Sequence, residues 1–136
     1  MEQDVVSGAD SWKKELEKAW REIPKVFRSD RAVHRTLQCR LYGLIRKSGM
    51  KAVADYMPPR IADRPVDIIA VNDQNEIVYA VCLDTLVTLP AVKSLNSFAA
   101  LNKIIFTTGM LEKKVKESTF FLNEETKHVH LQPFEN

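Results

Sequence analysis

Apolar residues recur at helical spacing in the first third of the chain and predict two helices there. The first pattern begins at Ser11, a suitable N-cap residue, and is limited by Pro24. The second begins at Asp30 and ends at Gly49, where a left-handed C-cap is common. Residues 1–10 are acidic and carry no apolar run, so we expect a disordered N-terminal tail there.

From Met50 the pattern changes to alternation, which predicts a strand that ends at Tyr56. Two apolar runs, Val66 to Val71 and Glu76 to Leu83, are separated by a polar turn and predict a β-hairpin buried on both faces. The remaining predicted elements are a helix from Leu89 to Leu101, a strand from Lys103 to Thr108, a helix from Met110 to Leu122 and a strand from Lys127 to Gln132. A meander of three strands followed by a crossover helix predicts an α/β domain, with a mixed sheet flanked by helices.

Composition and length narrow the class of protein. With 136 residues the chain has room for one domain, which we place at residues 11–136. The net charge of +2 is too small to identify a nucleic-acid binder by itself. Cys39 and Cys82 lie in apolar-periodic segments, so we expect two buried thiols. The sequence shows neither a secretory signal nor a membrane span, so we expect a cytoplasmic protein with no membrane partner.

Two aspartates in the hairpin are the strongest sign of chemistry. Asp67 lies at the start of an otherwise apolar strand, and Asp84 follows the end of the neighbouring strand. In an antiparallel hairpin these positions lie at the same end of the sheet, so the two carboxylates can converge. They could then bind Mg²⁺ together with water and a substrate phosphate. The alternative is that they cap a turn or form an ion pair with Arg60 or Arg64.

From Asp30 to Gln132 the chain resembles the PD-(D/E)XK nuclease superfamily, on the residues Pro65-Val66-Asp67 and the hairpin that follows. It looks similar to archaeal Holliday-junction resolvases from Val66 to Asp84, and to catalytic domains of type IV methyl-directed restriction enzymes from Asn102 to Gln132. The resemblance implies a restriction-endonuclease-like fold with an extra N-terminal helix. It also implies that Asp67 and Asp84 are catalytic metal ligands.

The second motif of that superfamily, an acid-x-lysine triplet on the third strand, is replaced here by Cys82-Leu83-Asp84. A thiol is too soft to be a good Mg²⁺ ligand, and an aspartate cannot act as the lysine does. Lys93, on the helix after that strand, is the candidate for a migrated catalytic lysine. An active protein would then be a Mg²⁺-dependent endonuclease, and an inactive one would need no cofactor.

Basic residues are concentrated between Arg28 and Lys51, where Asp30 is the lone acid. Such a segment could follow a phosphate backbone, and the alternative is a solvated helix face. The candidate nucleic-acid-binding residues are Arg31, His34, Arg35, Arg46, Lys47 and Lys51. His34 could lie beside the metal or on the surface, and His128 and His130 are expected on one side of the last strand.

The leading hypothesis is a nuclease-like protein that binds DNA or RNA and has a degenerate metal site. One alternative is a protein-interaction or assembly domain, including a homodimer, with Trp12, Trp20 and Val87 to Pro90 as contact surface. Another is an active endonuclease that uses Asp67, Asp84 and Lys93.

Overall fold

The computed structural model describes residues 8–60 and 63–134. The helices are α1 (Gly8–Glu22), α2 (Asp30–Lys47), α3 (Leu89–Asn96) and α4 (Glu112–Ser118), and short 3-10 turns span Lys25–Phe27 and Thr119–Phe121. The strands are β1 (Lys51–Tyr56), β2 (Val66–Val71), β3 (Ile77–Asp84), β4 (Asn102–Thr107) and β5 (Thr126–His130). They form one sheet in the order β1-β2-β3-β4-β5, antiparallel from β1 to β3 and parallel from β3 to β5. The predicted mixed α/β class is confirmed.

Helix α2 begins and ends where the sequence predicts. The Ser29 hydroxyl accepts a hydrogen bond from the Ala32 N–H at 3.1 Å, and this N-cap fixes the start at Asp30. Gly49, with φ +99°, turns the chain away from the helix axis. The apolar residues Val33, Leu37, Leu41 and Ile45 are buried in the larger of two core clusters.

Helix α1 begins at Gly8, so the predicted start at Ser11 is wrong. The earlier start brings Ala9 into the core, where it is buried close to Trp12. The Trp12 and Tyr79 ring centroids lie 4.7 Å apart, which ties α1 to β3. Burial of apolar surface thus extends the helix into the predicted tail, whose residues 1–7 lie outside the described part of the chain.

The predicted contact surface is largely wrong. Trp12, Trp20 and Val87 are buried within the chain, and only Leu89 and Pro90 of that set are exposed. Trp20 packs edge to face against Phe134 with ring centroids 5.8 Å apart. The two tryptophans therefore pack α1 against the rest of its own domain.

The hairpin has the predicted strands. Ile68 lies opposite Val81, and both strands are buried on both faces. In the turn, the Asn72 side-chain oxygen accepts hydrogen bonds from the N–H groups of Gln74 at 2.9 Å and Glu76 at 3.0 Å. Asn75 takes a positive φ of 63°, which asparagine tolerates well.

The later helices are shorter than predicted. Helix α3 ends at Asn96 because Ser97 turns back to bond the Ser94 carbonyl through both its N–H and its hydroxyl. Helix α4 begins at Glu112, since the preceding Gly109 is held by a 2.9 Å bond from its N–H to the Thr85 carbonyl. It gives way to a 3-10 turn after Ser118, and β5 ends at His130.

The two cysteines differ in environment. Cys82 is fully buried between the sheet and α3, and burial raises the pKa of its thiol to about 12. Cys39 is exposed, so its predicted burial is wrong. It follows the buried Gln38 by one residue, and a step of about 100° around the helix turns it to solvent. Among the described helices, none has both the length and the apolar character needed to cross a bilayer.

Candidate functional site

Arg64 joins the two aspartates of the hairpin. Its Nη2 atom donates to Asp67 Oδ2 at 3.0 Å and to Asp84 Oδ2 at 2.9 Å, and it lies 3.3 Å from the Leu83 carbonyl oxygen. The two carboxylates therefore converge at one end of the sheet. Of the alternatives left open by the sequence, the ion pair with Arg64 is the arrangement in the structure.

Asp67 is a buried residue, and both its carboxylate oxygens and its carbonyl oxygen have hydrogen-bond partners. Its side chain is 2% exposed, and Oδ1 lies 2.6 Å from His34 Nε2. Oδ2 also accepts the Leu83 N–H at 2.6 Å, while Gln38 Nε2 donates to the Asp67 carbonyl at 2.9 Å. Burial opposes ionisation, but the hydrogen bond with His34 and the charge of Arg64 outweigh it and lower the pKa of Asp67. Asp67 is therefore ionised in the folded chain at neutral pH.

The local strand register explains this placement of Asp67. The paired residues of β2 and β3 end at Ile68 and Val81, so the N–H of Leu83 has no backbone partner on β2. The Asp67 carboxylate accepts a hydrogen bond from that N–H, so a side chain replaces the backbone partner that the strand pairing does not provide.

Asp84 is held less tightly than Asp67. It closes β3, its side chain is 23% exposed, and Arg64 is the side-chain partner that bonds its carboxylate. Burial raises the pKa of Asp84 above its usual range, and the charge of Arg64 offsets part of that effect. The two carboxylates thus differ in how strongly the fold favours their charged forms.

The Arg64 side chain is itself held by the surrounding chain. Its Nη1 atom donates to the Pro65 carbonyl, and the Ser94 hydroxyl of α3 donates to the Arg64 carbonyl. Arg64 Nη2 thus occupies the point between the two carboxylates. Among the described residues, no group of three or more His, Cys, Asp or Glu side chains is arranged to hold a metal ion.

Lys93 and Cys82 do not complete a nuclease triad in this arrangement. Lys93 is exposed on α3, and within the described chain it forms no hydrogen bond or ion pair with Asp67 or Asp84. Cys82 is sealed in the second core cluster, and its raised pKa keeps it a neutral thiol at physiological pH.

His34 links the carboxylate cluster to the surface of α2. Its side chain is 31% exposed while Nε2 bonds Asp67, so it is both beside the cluster and open to solvent. Gln38, one turn further on, donates to Asp55 Oδ1 at 2.8 Å as well as to the Asp67 carbonyl. These two side chains join α2 to β2 and, through Asp55, to β1.

The predicted basic residues lie on α2 and at the start of β1. Arg31, Arg35 and Arg46 fall within about 60° of one another around an ideal helix, on the same side as Gln38. We call the three arginines the basic stripe: Arg31, Arg35 and Arg46, all of them exposed. Arg35 is paired, with its Nη1 3.5 Å from Asp55 Oδ2. In the described part of the chain Arg31 and Arg46 form no ion pair.

The two predicted lysines are exposed but lie outside this stripe. Lys47 lies about 160° from Arg31 around the helix, where its charge acts on Glu15. Lys51 pairs with Val71 and alternates with Ala52, which packs in the core cluster of α2, so Lys51 lies on the opposite face of the sheet.

His128 and His130 lie on one side of β5, as predicted. The Thr107 hydroxyl lies 2.8 Å from His128 Nε2 and 2.8 Å from His130 Nδ1. Burial lowers the pKa of both histidines, and the neighbouring His130 lowers that of His128 further. The pair is therefore neutral at physiological pH.

Sequence reasoning missed Gln38 and Ser94 as parts of the site. Gln38 is polar and follows Leu37 on the apolar side of α2, and such a position signals a buried hydrogen-bond partner. Ser94 carries no comparable signal, because serine is common on either face of a short helix.

The chain matches no model of a protein family, no curated protein and no solved structure.

Proposed function

We propose that this protein binds nucleic acid through the basic stripe, on a nuclease-like scaffold that does not carry out metal-dependent hydrolysis. The observation that carries the proposal is the row of three exposed arginines on one face of α2. Two of them, Arg31 and Arg46, have no acidic partner in the described chain. Unpaired cations are free to replace the counterions of a phosphate backbone.

The dimensions of the stripe suit a nucleic-acid backbone. From Arg31 to Arg46 it extends about 22 Å along α2 at 1.5 Å per residue. A phosphate strand of B-DNA advances about 3.4 Å per nucleotide, so this length faces about six phosphates. The net charge of +2 does not predict such binding, because the relevant charges are concentrated on one surface.

The order of elements supports a restriction-endonuclease-like scaffold. A helix, a three-stranded meander, a crossover helix and a parallel fourth strand follow one another from α2 to β4. Asp67 opens β2 and meets Asp84 of β3 at one end of the sheet, as the resemblance to PD-(D/E)XK nucleases implies. These likenesses support a shared scaffold.

The contacts of the two aspartates favour binding over catalysis. The resemblance implies a Mg²⁺ ion between the acids and a lysine near it. Here Arg64 bridges the acids, and the nearest candidate lysine in sequence, Lys93, is exposed on α3. We therefore place the function of this surface in recognition of a phosphate backbone.

Mutation of the stripe tests the proposal. We expect the double variant Arg31→Ala/Arg46→Ala to bind a labelled DNA duplex at least tenfold more weakly than the wild type, because two phosphate contacts are lost. Fluorescence anisotropy at low salt measures this, and an RNA duplex of equal length shows which nucleic acid is preferred.

Arg40→Ala is the control for each of the single variants Arg31→Ala and Arg46→Ala, because all three remove one positive charge. Arg40 lies on the same helix but is bonded to Glu15 Oε1 at 2.5 Å, so its loss removes no free cation. Weakening by Arg40→Ala as large as that by either single variant, or no measurable DNA or RNA binding by the wild type, would contradict the proposal.

A further inference from the structure

Three oxygen atoms surround a single guanidinium nitrogen of Arg64. Nη2 lies 2.9 Å from Asp84 Oδ2, 3.0 Å from Asp67 Oδ2 and 3.3 Å from the Leu83 carbonyl oxygen. Two carboxylate oxygens and a backbone carbonyl form the kind of donor set that hard divalent cations take in proteins. The nitrogen therefore stands where these oxygens would place a cation.

The chain holds both the nitrogen and its oxygens in place. Arg64 is fixed by the bond from its Nη1 to the Pro65 carbonyl and by the Ser94 hydroxyl on its own carbonyl. Asp67 is fixed by His34 and by the Leu83 N–H. The Arg64 side chain is only 14% exposed, so the charges interact with little screening by water.

We propose that Arg64 is a resident cation, which takes the place of a divalent metal ion between Asp67 and Asp84 and makes the folded hairpin independent of metal. A guanidinium remains protonated throughout the physiological pH range, so this cation is always present. It also blocks the point at which the three oxygens meet. The wild-type chain accordingly does not bind a divalent cation there.

Removal of the guanidinium should open a cation site. It leaves two carboxylates close together without a positive charge, and a divalent ion can then supply that charge. Ca²⁺–O bonds of about 2.3–2.6 Å are nearer to the present N···O distances than Mg²⁺–O bonds of about 2.1 Å. Calcium also tolerates irregular geometry, so we expect Ca²⁺ to bind the opened site more tightly than Mg²⁺.

Thermal unfolding of the free protein tests this inference without nucleic acid, so its outcome is separate from that of the DNA-binding experiment. We expect the Tm of the wild type to be the same in EDTA and in millimolar Ca²⁺. The Arg64→Ala variant should have a lower Tm in EDTA, and Ca²⁺ should raise it by about 5 °C. Isothermal titration calorimetry should detect Ca²⁺ binding to the variant alone.

Two controls separate the site from a general effect of charge. Arg35→Ala removes the same charge near Asp55 and should gain no response to Ca²⁺. Arg64→Ala/Asp84→Asn removes an oxygen ligand of the opened site and should lose the response. If Arg64→Ala does not fold in EDTA, Arg64→Gln is measured in its place.

Two results would overturn the inference. One is an Arg64 variant that folds and shows no Ca²⁺-dependent rise in Tm. The other is a wild type that binds Ca²⁺ as tightly as the variant does, since Arg64 would then not occupy the cation position.

Discussion

At the scale of single residues, Asp67 shows how the fold keeps a charge in its interior. Its two oxygens and its carbonyl are bonded by His34, Arg64, the Leu83 N–H and Gln38. Desolvation of a carboxylate is costly, and these partners offset that cost. The special status of Asp67 was visible in the sequence, as an acid at the start of an apolar strand. Its partner was not, because Arg60 and Arg64 stand in the same loop and pattern alone cannot choose between them.

The two aspartates should differ in their contribution to stability. We expect Asp67→Asn to lower the free energy of unfolding by about 3 kcal/mol, since it leaves the buried Arg64 with a weakened counter-charge. Asp84→Asn should change the free energy of unfolding by less than about 1 kcal/mol, because burial disfavours the charged form of Asp84 and Arg64 offsets only part of that effect. Urea unfolding at neutral pH measures both values. Equal losses would show that the bonds around Asp67 do not set it apart.

The acid sensitivity of the protein should depend on Asp67. Its pKa is lower in the folded chain than in the unfolded chain, so the unfolded chain takes up the proton first as the pH falls. The stabilisation is complete above the unfolded pKa of about 3.9 and is lost as the pH falls through the folded pKa. Asp67→Asn should therefore flatten the loss of stability in acid, measured by urea unfolding from about pH 6 to about pH 3.

Asp84→Asn is the comparison for that experiment. The pKa of Asp84 is raised in the folded chain, so its protonation favours folding at low pH and opposes the effect of Asp67. In Asp84→Asn the free energy of unfolding should therefore fall at least as steeply with decreasing pH as in the wild type. A smaller loss in acid for Asp84→Asn than for Asp67→Asn would reverse our assignment of the two carboxylates.

At the scale of elements, strong periodicity predicted α2 and the hairpin well. Helix α2 has both an N-cap at Ser29 and a positive-φ residue at Gly49, and these local signals agree with its apolar pattern. The bounds of α3 and α4 were less predictable, because a local bond from Ser97 back to Ser94 ends α3 and a tertiary bond from Gly109 to Thr85 precedes α4. Such contacts are not readable from spacing.

The packing of α2 on the sheet should depend on Gln38. Its amide donates to the Asp67 carbonyl and to the Asp55 carboxylate, so it ties the helix to β2 and β1. We expect Gln38→Met to keep the packing volume but to lower the free energy of unfolding by about 1–3 kcal/mol, because the Asp67 carbonyl loses its partner. Urea unfolding measures the change.

Gln132→Met provides a control for the loss of a side-chain amide. Gln132 Nε2 donates to Glu112 in an exposed pair, where water can replace the bond. A cost for Gln38→Met no larger than for Gln132→Met would contradict the role of Gln38.

At the scale of the whole molecule, the sheet order follows from the connections between strands. Crossovers between parallel strands are right-handed in nearly all proteins, so a meander followed by a crossover helix leaves few arrangements, and the mixed sheet could be predicted from the order of elements. The docking of α1 could not, because Trp12 and Trp20 suit a partner surface as well as the core. The distinction between the paired Arg35 and Arg40 and the exposed Arg31 and Arg46 also required the three-dimensional placement of Asp55 and Glu15.

Nucleic-acid binding through the basic stripe is the central claim, and the salt dependence of DNA affinity tests it most directly. If Arg31 and Arg46 each neutralise a phosphate, the logarithm of the binding constant should fall with a slope of about −1.8 against the logarithm of salt concentration. Between about 50 and 200 mM salt, duplex affinity should then drop by about tenfold. An affinity that does not change over this range, or the absence of binding at the lowest salt, would contradict the account.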